Sequence, residues 1–404
     1  YHKRVKMIYI DPPYNTGNEF IYPDKYHENL ETYLRYTGQT DREGLKLSAN
    51  AETSGRYHTN WLNMIWPRLK LARNLLCDDG VIFISIDDVE AANLIQVCNE
   101  IFGEENHIAT IVWQKRYVSN VTAKWLSDIH DFILLYARDR DSVSIADWAK
   151  NEEQLAAYKN PDNDERGPWR AQDLSASKPY SAGLFSITGP TGKEFSPPPN
   201  RYWRCSEDQF KSWDRDNRIW WGVNRDARPM LKSFLSESNK GIKPHTWWDY
   251  SFAGHNKEAT LELKKLFDGD APFDTPKPIK LMDKMLDLVC QDGDIVLDFF
   301  AGSAPLAEAV LRRSGQGRPL RFIMVQLPEP IDRADFKTIA DIAKSRIRRV
   351  IRDKSLAVEA SGSESTPGEV VVRSLGCRMF NLASSNLSTW EAEFDVLESS
   401  LLDA

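Results

Sequence analysis

The sequence has few cysteines and no long apolar run, and both scarcities narrow the class of protein. Its five cysteines among 404 residues are scattered, without the paired short spacings of zinc sites. We interpret them as buried or incidental thiols in a reducing compartment, and we expect no metal site. No apolar stretch has the length of a membrane span, and no signal-peptide pattern opens the chain. These absences predict a cytoplasmic protein without a membrane partner.

Positive charge is also in deficit, because 52 lysines and arginines accompany 59 aspartates and glutamates, for a formal net charge of −7. This balance argues against a protein that is basic over its whole surface. A local basic face can still bind nucleic acid, since binding depends on the local field rather than on the total charge. Apolar residues make up 41% of the chain, which is enough for a sizeable core and excludes disorder of the whole chain.

Strand-like and helical patterns alternate along both ends of the chain. The predicted strands are residues 5–10, 81–86, 108–113, 131–136, 295–297 and 322–325. The predicted helices are residues 61–76, 95–102, 279–289, 305–311 and 338–351, with a further helical pattern near residue 258. Such alternation predicts an α/β fold.

The middle of the chain differs in character, because residues 150–250 are rich in Pro, Gly, Asn and Trp and have few periodic runs. Cations and aromatic residues alternate there. The cations are Lys193, Arg201, Arg204, Lys211, Arg215, Arg218, Arg225, Arg228 and Lys232, and the aromatic residues are Tyr202, Trp203, Trp213, Trp220 and Trp221. This composition fits a nucleic-acid-facing surface or an ordinary aromatic-rich subdomain.

The sharpest motif is Asp11-Pro12-Pro13-Tyr14, directly after the first predicted strand. Two consecutive prolines fix the backbone and remove two N–H donors. The Asp11 carboxylate and the neighbouring carbonyls therefore form a rigid corner of acceptors at the end of a strand. Such a corner suits an amino group whose hydrogens are held while its nitrogen attacks, and Tyr14 offers a flat face for a base. A plain strand-ending turn is the alternative.

A second motif, DFFAGS at residues 298–303, follows the predicted strand at 295–297. A strand that ends in an acidic residue and continues through a small-residue loop into a helix is how α/β proteins place a nucleotide-like ligand. Pro305 fits the first turn of the next predicted helix. One such loop is common in α/β proteins, but its combination with residues 11–14 is specific.

The two motifs resemble the β class of DNA amino-methyltransferases, in which the catalytic DPPY precedes the cofactor loop. The longer match resembles the modification (Mod) subunits of type III restriction–modification systems and covers most of the chain, most weakly at 150–240. It is carried by IYIDPPYNTG (8–17), DGVIFISIDD (79–88), DTPKP (274–278), VLDFFAGS (296–303) and VQLPEP (325–330). Family members have a substantial segment before the DPPY strand, so we interpret this sequence as part of a longer protein.

The resemblance implies a Rossmann-like, S-adenosylmethionine-dependent methyltransferase fold in permuted order with an inserted target-recognition domain. The implied divisions are a catalytic half at 1–144, the target-recognition domain at 145–250, a cofactor-binding half at 251–355 and a C-terminal strand segment at 356–404. A strand pair is predicted at 370–382 within the last of these.

The resemblance also implies the site residues. Asp11, Pro12, Pro13 and Tyr14 would be catalytic, with Asp11 and the Pro12 carbonyl holding the amino hydrogens of a flipped-out base that stacks on Tyr14. The implied residues for S-adenosylmethionine are Asp298, Phe299, Phe300, Gly302, Ser303, Lys277, Pro278 and Gln326. The sequence departs from the family pattern at Ala304-Pro305-Leu306, where relatives usually have Gly-Thr-Thr.

The implied function is transfer of a methyl group from S-adenosylmethionine to adenine N6 in double-stranded DNA, as the modification part of a type III system. An N4-cytosine methyltransferase has the same acceptor chemistry, but aspartate before the two prolines favours adenine by resemblance. A noncatalytic DNA-binding subunit is the alternative from another class. The implied partners are double-stranded DNA, a restriction (helicase/nuclease) subunit and a second copy in a homodimer, at the bacterial nucleoid.

Three other features leave alternatives open. Asp87-Asp88 fits a metal pair or, more often, acids that are solvated or hold an adjacent helix. His130 fits a general base or a structural histidine at the start of a strand. The cations at 344–349 face phosphate or are merely solvated.

Overall fold

The computed structural model describes residues 1–16, 57–120, 122–150, 152–238, 241–360 and 375–381. The strands are β1 Val5–Ile10, β2 Leu76–Ile86, β3 His107–Gln114, β4 His130–Ala137, β5 Trp169–Asp173, β6 Ser175–Ala176, β7 Ile187–Thr188, β8 Glu194–Phe195, β9 Tyr202–Trp203, β10 Ile219–Trp220, β11 Met230–Phe234, β12 Trp247–Trp248, β13 Ile295–Asp298 and β14 Arg321–Met324. The helices are α1 Tyr57–Leu75, α2 Asp88–Phe102, α3 Glu152–Ala156, α4 Glu207–Arg215, α5 Tyr250–Ala253, α6 Asn256–Leu266, α7 Ile279–Val289, α8 Pro305–Ser314 and α9 Ile339–Ala360.

A seven-stranded sheet has the order β12-β3-β4-β2-β1-β13-β14. Strand β1 lies parallel to β2 on one side and to β13 on the other, and β14 continues the parallel part. Strand β4 runs opposite to its neighbours β2 and β3, and β12 joins β3 in parallel. The predicted α/β fold with a mostly parallel sheet is confirmed. The strand before the DPPY motif, β1, precedes in the chain the strand before the DFFAGS loop, β13, which is the order that the resemblance implies.

Helices cover both faces of this sheet, which is why its central strands read as continuous apolar runs rather than as alternating ones. Every residue of β1 is buried. On one face, Met7 and Phe83 pack with Met285 of α7. On the other face, Ile8 and Ile10 pack with residues of α1. Among the described residues, no helix is both long and apolar enough to cross a membrane.

Two predictions about secondary structure are wrong in the described residues. The sequence Asp78-Asp79-Gly80 is typical of a turn between the predicted helix at 61–76 and the predicted strand at 81–86, but it lies within β2, whose pairing with β1 shifts register between Val5 and Met7. Between these two pairs β1 advances by two residues and β2 by five, so β2 accommodates three extra residues there without ending. Residues 375–381, from the predicted strand pair at 370–382, form no strand. Leu375 and Cys377 instead pack against the apolar side of α9; the rest of that prediction lies outside the described residues.

Between β4 and β12 the chain forms a module with its own small sheets and its own core. One sheet has three strands in the order β10-β11-β5, and the others are the pairs β6-β9 and β7-β8. Leu174, Trp203 and Phe210 belong to an apolar cluster separate from that of the central sheet. This architecture has the form of an insertion into the α/β domain.

The module begins and ends at one point of the fold. Trp148 and Ile242 form an antiparallel bridge, with N–O distances of 2.9 Å and 2.8 Å in the two directions. A Cβ atom at Gly241 would collide with the Trp148 carbonyl oxygen, so this close approach of two backbones requires glycine. Strand β12, although within the predicted limits 145–250, pairs with β3 of the central sheet.

Candidate active site

The two sequence motifs leave the sheet at the same edge. Strands β1 and β13 are parallel neighbours with Ile8 opposite Leu297, so Asp11 and the DFFAGS loop (residues 298–303) follow adjacent strand ends. Because β4 runs in the opposite direction, it begins at this edge, and β3 ends there with Gln114 paired to His130. The edge therefore brings the ends of β1 and β13 together with the end of β3 and the start of β4.

The DPPY corner (residues 11–14) is held by its two prolines and by hydrogen bonds to buried side chains. Its two prolines stiffen the backbone, and the buried indole of Trp61 donates a hydrogen bond of 2.6 Å to the Pro13 carbonyl. Asn15 follows with φ of 59°, a left-handed conformation that asparagine tolerates better than most residues. Its amide donates to the fully buried Glu90 at 2.6 Å. These contacts fix the backbone at Asp11 before any contact of its side chain is considered.

Lys277 reaches the Asp11 carboxylate from the other half of the chain. Its Nζ lies 2.6 Å from each Asp11 oxygen and 5.1 Å from the centre of the Tyr14 ring. The Tyr14 hydroxyl donates to Asp11 Oδ1 at 2.9 Å. Pro278 stands at the N-cap of α7, so Lys277 is held immediately before a buried helix. The resemblance implied that Lys277 binds the cofactor, and the structure brings it directly to the predicted catalytic carboxylate.

A second carboxylate, Asp131, lies beside this group and was missed by the sequence analysis. It is 3% exposed, it accepts a hydrogen bond from Lys115 Nζ at 2.7 Å, and its Oδ2 is 3.4 Å from the Tyr14 hydroxyl. Burial raises the pKa of Asp131, an effect that Lys277 and Lys115 oppose and Asp11 increases. The Tyr14 hydroxyl therefore lies between two carboxylates, each of which is paired with a lysine.

The sequence contained a signal for Lys115 and Asp131, but the sequence analysis considered His130 in place of Asp131. His130 was weighed as a base, but its ring packs edge-on against Phe132 with centroids 5.0 Å apart. The useful signals were an acid at the start of a buried apolar strand (Asp131) and a lysine directly after the preceding strand (Lys115). A search for site residues only at the carboxyl ends of strands misses those of β4, because the amino end of β4 faces the site.

Burial and the nearby acids keep Tyr14 neutral. Burial, followed by the carboxylates of Asp11 and Asp131, raises the pKa of Tyr14 well above its usual range. The phenol therefore remains a hydrogen-bond donor at any physiological pH.

The DFFAGS loop places a buried acid and two aromatic rings next to the DPPY corner. Asp298 is 1% exposed, and burial raises its pKa well above the usual range, although a hydrogen bond of 2.9 Å from the Phe300 backbone N–H lowers it. The Phe299 and Phe300 ring centroids are 5.5 Å apart. Gly302 has φ of 52°, and its N–H donates to Gln326 Oε1 at 2.7 Å. Gln326 thus ties β14 to the loop.

The transition from this loop into α8 carries the departure noted in the sequence. Ala304 is the N-cap of α8 with φ of 60° and ψ of 49°, the left-handed conformation that costs a residue with a Cβ about 1–2 kcal/mol. Ser303 is buried, and its hydroxyl accepts a hydrogen bond of 2.9 Å from Arg346. Arg346 also pairs with Glu308 at 2.6 Å. Arg346 is therefore neither phosphate-facing nor solvated, and it fastens α9 to the loop.

The DNA methylase family model matches residues 5–326 of the chain. The chain belongs to the DNA methylase family. The Mod subunit of the type III restriction–modification enzyme StyLTI from Salmonella typhimurium is 34% identical to this methylase over 361 residues, which are 87% of this chain and 54% of the relative. The EcoP15I Mod subunit from Escherichia coli is 30% identical, over 86% of this chain and 60% of the relative. The methylase thus spans a little over half the length of these relatives.

Among solved structures, the PvuII DNA methyltransferase, specific for cytosine N4, is similar to the methylase with 11% identity and a TM-score of 0.37, and the match covers 86% of each chain.

One acidic pair of the methylase has a structural task. Asp87 caps α2 by accepting a hydrogen bond of 3.0 Å from the Val89 N–H, which is the helix-holding alternative of the sequence analysis. Burial raises the pKa of Asp87 to about 6. In the described part of the chain, no group of three or more His, Cys, Asp or Glu residues could hold a metal ion.

Proposed function

We propose that this methylase transfers a methyl group from S-adenosylmethionine to N6 of adenine in double-stranded DNA, as the modification part of a type III restriction–modification system in the bacterial cytoplasm. The carrying observation is the pairing of β1 with β13, which sets an acceptor corner beside a nucleotide-type loop. The similarity to two type III Mod subunits supports the substrate and the type of system. A restriction subunit and a second copy of the chain are the partners that we propose with it.

We assign cofactor binding to the residues around the DFFAGS loop: Asp298, Phe299, Phe300, Gly302, Ser303, Lys277, Pro278 and Gln326. Bound S-adenosylmethionine supplies an electrophilic methyl group on a sulfonium. The residues fit such a ligand, because a buried carboxyl, an amide and an ammonium suit its hydroxyl and carboxylate groups, and the phenylalanine rings suit its adenine. A Cβ at Gly302 would stand 3.2 Å from the Phe273 ring, so a side chain there would narrow the loop.

The DPPY corner meets the chemical need of an aromatic amine, whose nitrogen is a poor nucleophile because its lone pair is delocalised into the ring. We assign Asp11 and the Pro12 carbonyl to accept the two amino hydrogens, which favours a pyramidal nitrogen. A carboxylate offers about four lone-pair sites, so Asp11 can bind an amino hydrogen while Lys277 holds its orientation. Catalysis of this kind is positioning and electrostatics rather than covalent chemistry.

The inserted module is the proposed target-recognition domain, within the predicted limits 145–250 and between methyltransferase halves at 1–144 and 251–355. Several of its cations are engaged within the module: Lys232 is buried against Asp164 at 3.0 Å, and Arg218 pairs with Glu237 at 2.5 Å. Base reading therefore falls to exposed cations such as Arg204 and Arg225, since arginine can bind guanine edges in the major groove.

Mapping of methylated bases in DNA from cells that express the chain tests the proposal. We expect N6-methyladenine at one short sequence, and none in cells that express Asp11→Ala, because this variant lacks the proposed acceptor. The purified variant should still bind S-adenosylmethionine, because Asp11 is not one of the assigned cofactor residues. N4-methylcytosine would refute the choice of adenine. DNA binding by the wild type without any methylation would favour the noncatalytic subunit.

A further inference from the structure

One loop rises from the active edge next to the Asp131–Lys115 pair. This β3–β4 loop (residues 115–129, described except for Val121) connects the end of β3 to the start of β4. Its base is closed by a hydrogen bond of 3.2 Å from the Arg116 N–H to the Ile129 carbonyl. Lys115 at the base contacts Asp131 at 2.7 Å, and Asp131 neighbours Tyr14. The base of the loop therefore lies at the same sheet edge as Asp11.

The tip of the loop presents apolar side chains to solvent. Leu126 is 91% exposed and Trp125 is 84% exposed, the highest values among the large apolar side chains of the described residues. The tip is nevertheless ordered by its own hydrogen bonds, of 2.6 Å from the Asn120 N–H to Ser127 Oγ and of 3.1 Å from the Thr122 N–H to Asn120 Oδ1. The exposure of these two apolar side chains is therefore part of an organised loop.

The charge of the loop favours a nucleic acid as its partner. Arg116 and Lys124 are exposed, and Lys124 Nζ lies 5.2 Å from the centre of the Trp125 ring. An apolar tip with flanking cations has the chemistry of side chains that enter a base stack while the cations meet phosphate. A second copy of this chain would gain little from Trp125 and Leu126 alone, because two side chains are a small patch for a stable dimer.

The loop is also long enough for this task. From Lys115 to Asn120 the chain advances by five residues, so at about 3.3 Å per residue the tip can stand up to about 17 Å beyond the base. This exceeds the depth of either groove of B-DNA, which is about 8 Å.

We infer that the β3–β4 loop is a wedge that inserts Trp125 and Leu126 into the DNA stack and occupies the space left by the extruded target base. The inference rests on the proposed function, since a methylase that acts on a base amino group must take the base out of the duplex. The inserted side chains offset the lost stacking and hold the extruded state open. The wedge stands beside Tyr14, which receives the extruded base.

The test uses a duplex that contains the site found by methylation mapping, with 2-aminopurine in place of the target adenine as a fluorescent probe of unstacking. We expect the wild type to raise the fluorescence and the double variant Trp125→Ala/Leu126→Ala to lose most of this rise. The variant should methylate the normal paired duplex about tenfold or more slowly than the wild type. A duplex with an abasic site opposite the target adenine should restore its rate, because the base is already weakly stacked.

Leu71→Ala on α1 is the matched control, because Leu71 is 65% exposed but lies away from this edge, and it should change neither readout. An equal loss of rate on paired and abasic duplexes would overturn the inference. A changed oligomeric state in sedimentation with normal fluorescence would also overturn it and assign the tip to a second copy. If mapping finds N4-methylcytosine instead, the choice of adenine in the proposed function fails, and the same comparison with the probe placed beside that cytosine still tests the wedge. Without any rise in the wild type, the wedge fails.

Discussion

Lys277 joins the two halves of the methylase at a single carboxylate. Its side chain is 9% exposed, that of Asp11 is 26% exposed, and the ammonium bridges both Asp11 oxygens. A pair with this little solvent contact is costly to break on one side, because the remaining charge stays poorly hydrated. Lys277 is therefore expected to act on Asp11 as well as on the cofactor.

Kinetics of Lys277→Met and Lys277→Arg separate these two roles. If the ammonium orients Asp11, Lys277→Met should lower kcat by about 10- to 100-fold while the KM for S-adenosylmethionine rises less, because geometry errors fall on the transition state. Lys277→Arg keeps the charge and should recover part of kcat. A rise in KM at unchanged kcat, measured by transfer of labelled methyl groups to DNA, would restrict Lys277 to cofactor binding.

At the scale of elements, the N-terminus of α2 makes the folding stability depend on pH. Burial raises the pKa of Asp87 from 3.8 to about 6, so the folded state binds this proton more tightly than the unfolded chain. The stabilisation from this proton is complete below about pH 4 and is lost as the pH rises through 6. At neutral pH the charged Asp87 therefore lowers stability, although it still caps the helix.

Asp87→Asn keeps the cap acceptor and removes the charge. We expect the variant to exceed the wild type in free energy of unfolding by about 1 kcal/mol at pH 8, and by much less at pH 5. Urea unfolding at the two pH values measures the difference, and Asp88→Asn is the exposed neighbour that should show no such trend. A variant less stable than the wild type at pH 8 would mean that the charge strengthens the cap more than burial penalises it.

The module between Trp148 and Ile242, whose ends meet at the bridge, is the segment to exchange with that of a related methylase. We expect a chimera that carries residues 149–241 of a related methylase to methylate the relative's sequence, still at adenine N6, because Asp11 and β12 remain in place. The bridge tolerates this graft only if glycine stays at position 241. Methylome sequencing of the chimera decides the matter. An active chimera that still modifies the original sequence would show that recognition resides outside the module.

At the scale of the whole molecule, periodicity identified most elements of the central sheet but not their order. The apolar runs at 5–10 and 295–297 predict buried strands and became β1 and β13. Their adjacency came from family resemblance, because no local pattern specifies which strands pair. The start of β2 was missed for a related reason. Asp78-Asp79-Gly80 is typical of a turn, but Leu76 already pairs with Val5, and an irregularity in the pairing accommodates the residues before Val81.

The site was predictable where it follows the carboxyl end of a parallel strand. Asp11 and the DFFAGS loop do so, and they carry recognisable motifs. Lys115 and Asp131 were missed because their proximity to Tyr14 depends on the reversed direction of β4. Arg346 was read as a surface cation because its partner Glu308 lies on another helix. Tertiary pairing of charges cannot be read from spacing along one element.

The proposed binding of S-adenosylmethionine at the DFFAGS loop can be measured as a gain in stability. A ligand that binds only the folded state adds about 2.7 kcal/mol at a concentration of 100 times its Kd, which corresponds to a rise in Tm of several degrees. We expect this rise with S-adenosylmethionine for the wild type and for Leu71→Ala. It should be lost in Gly302→Val, since a side chain there meets Phe273 and the φ of 52° is strained for a residue with a Cβ.

Asp298→Asn is the sharper variant, because Asp298 has a strongly raised pKa and a neutral amide resembles its protonated form. If the cofactor binds the ionised carboxylate, Asp298→Asn should abolish the rise in Tm. If a neutral acceptor is enough for the cofactor, Asp298→Asn should show the same rise in Tm as the wild type. A wild-type protein whose Tm does not respond to S-adenosylmethionine, while it still binds DNA, would contradict the proposed transfer and favour a subunit that keeps the fold without the reaction.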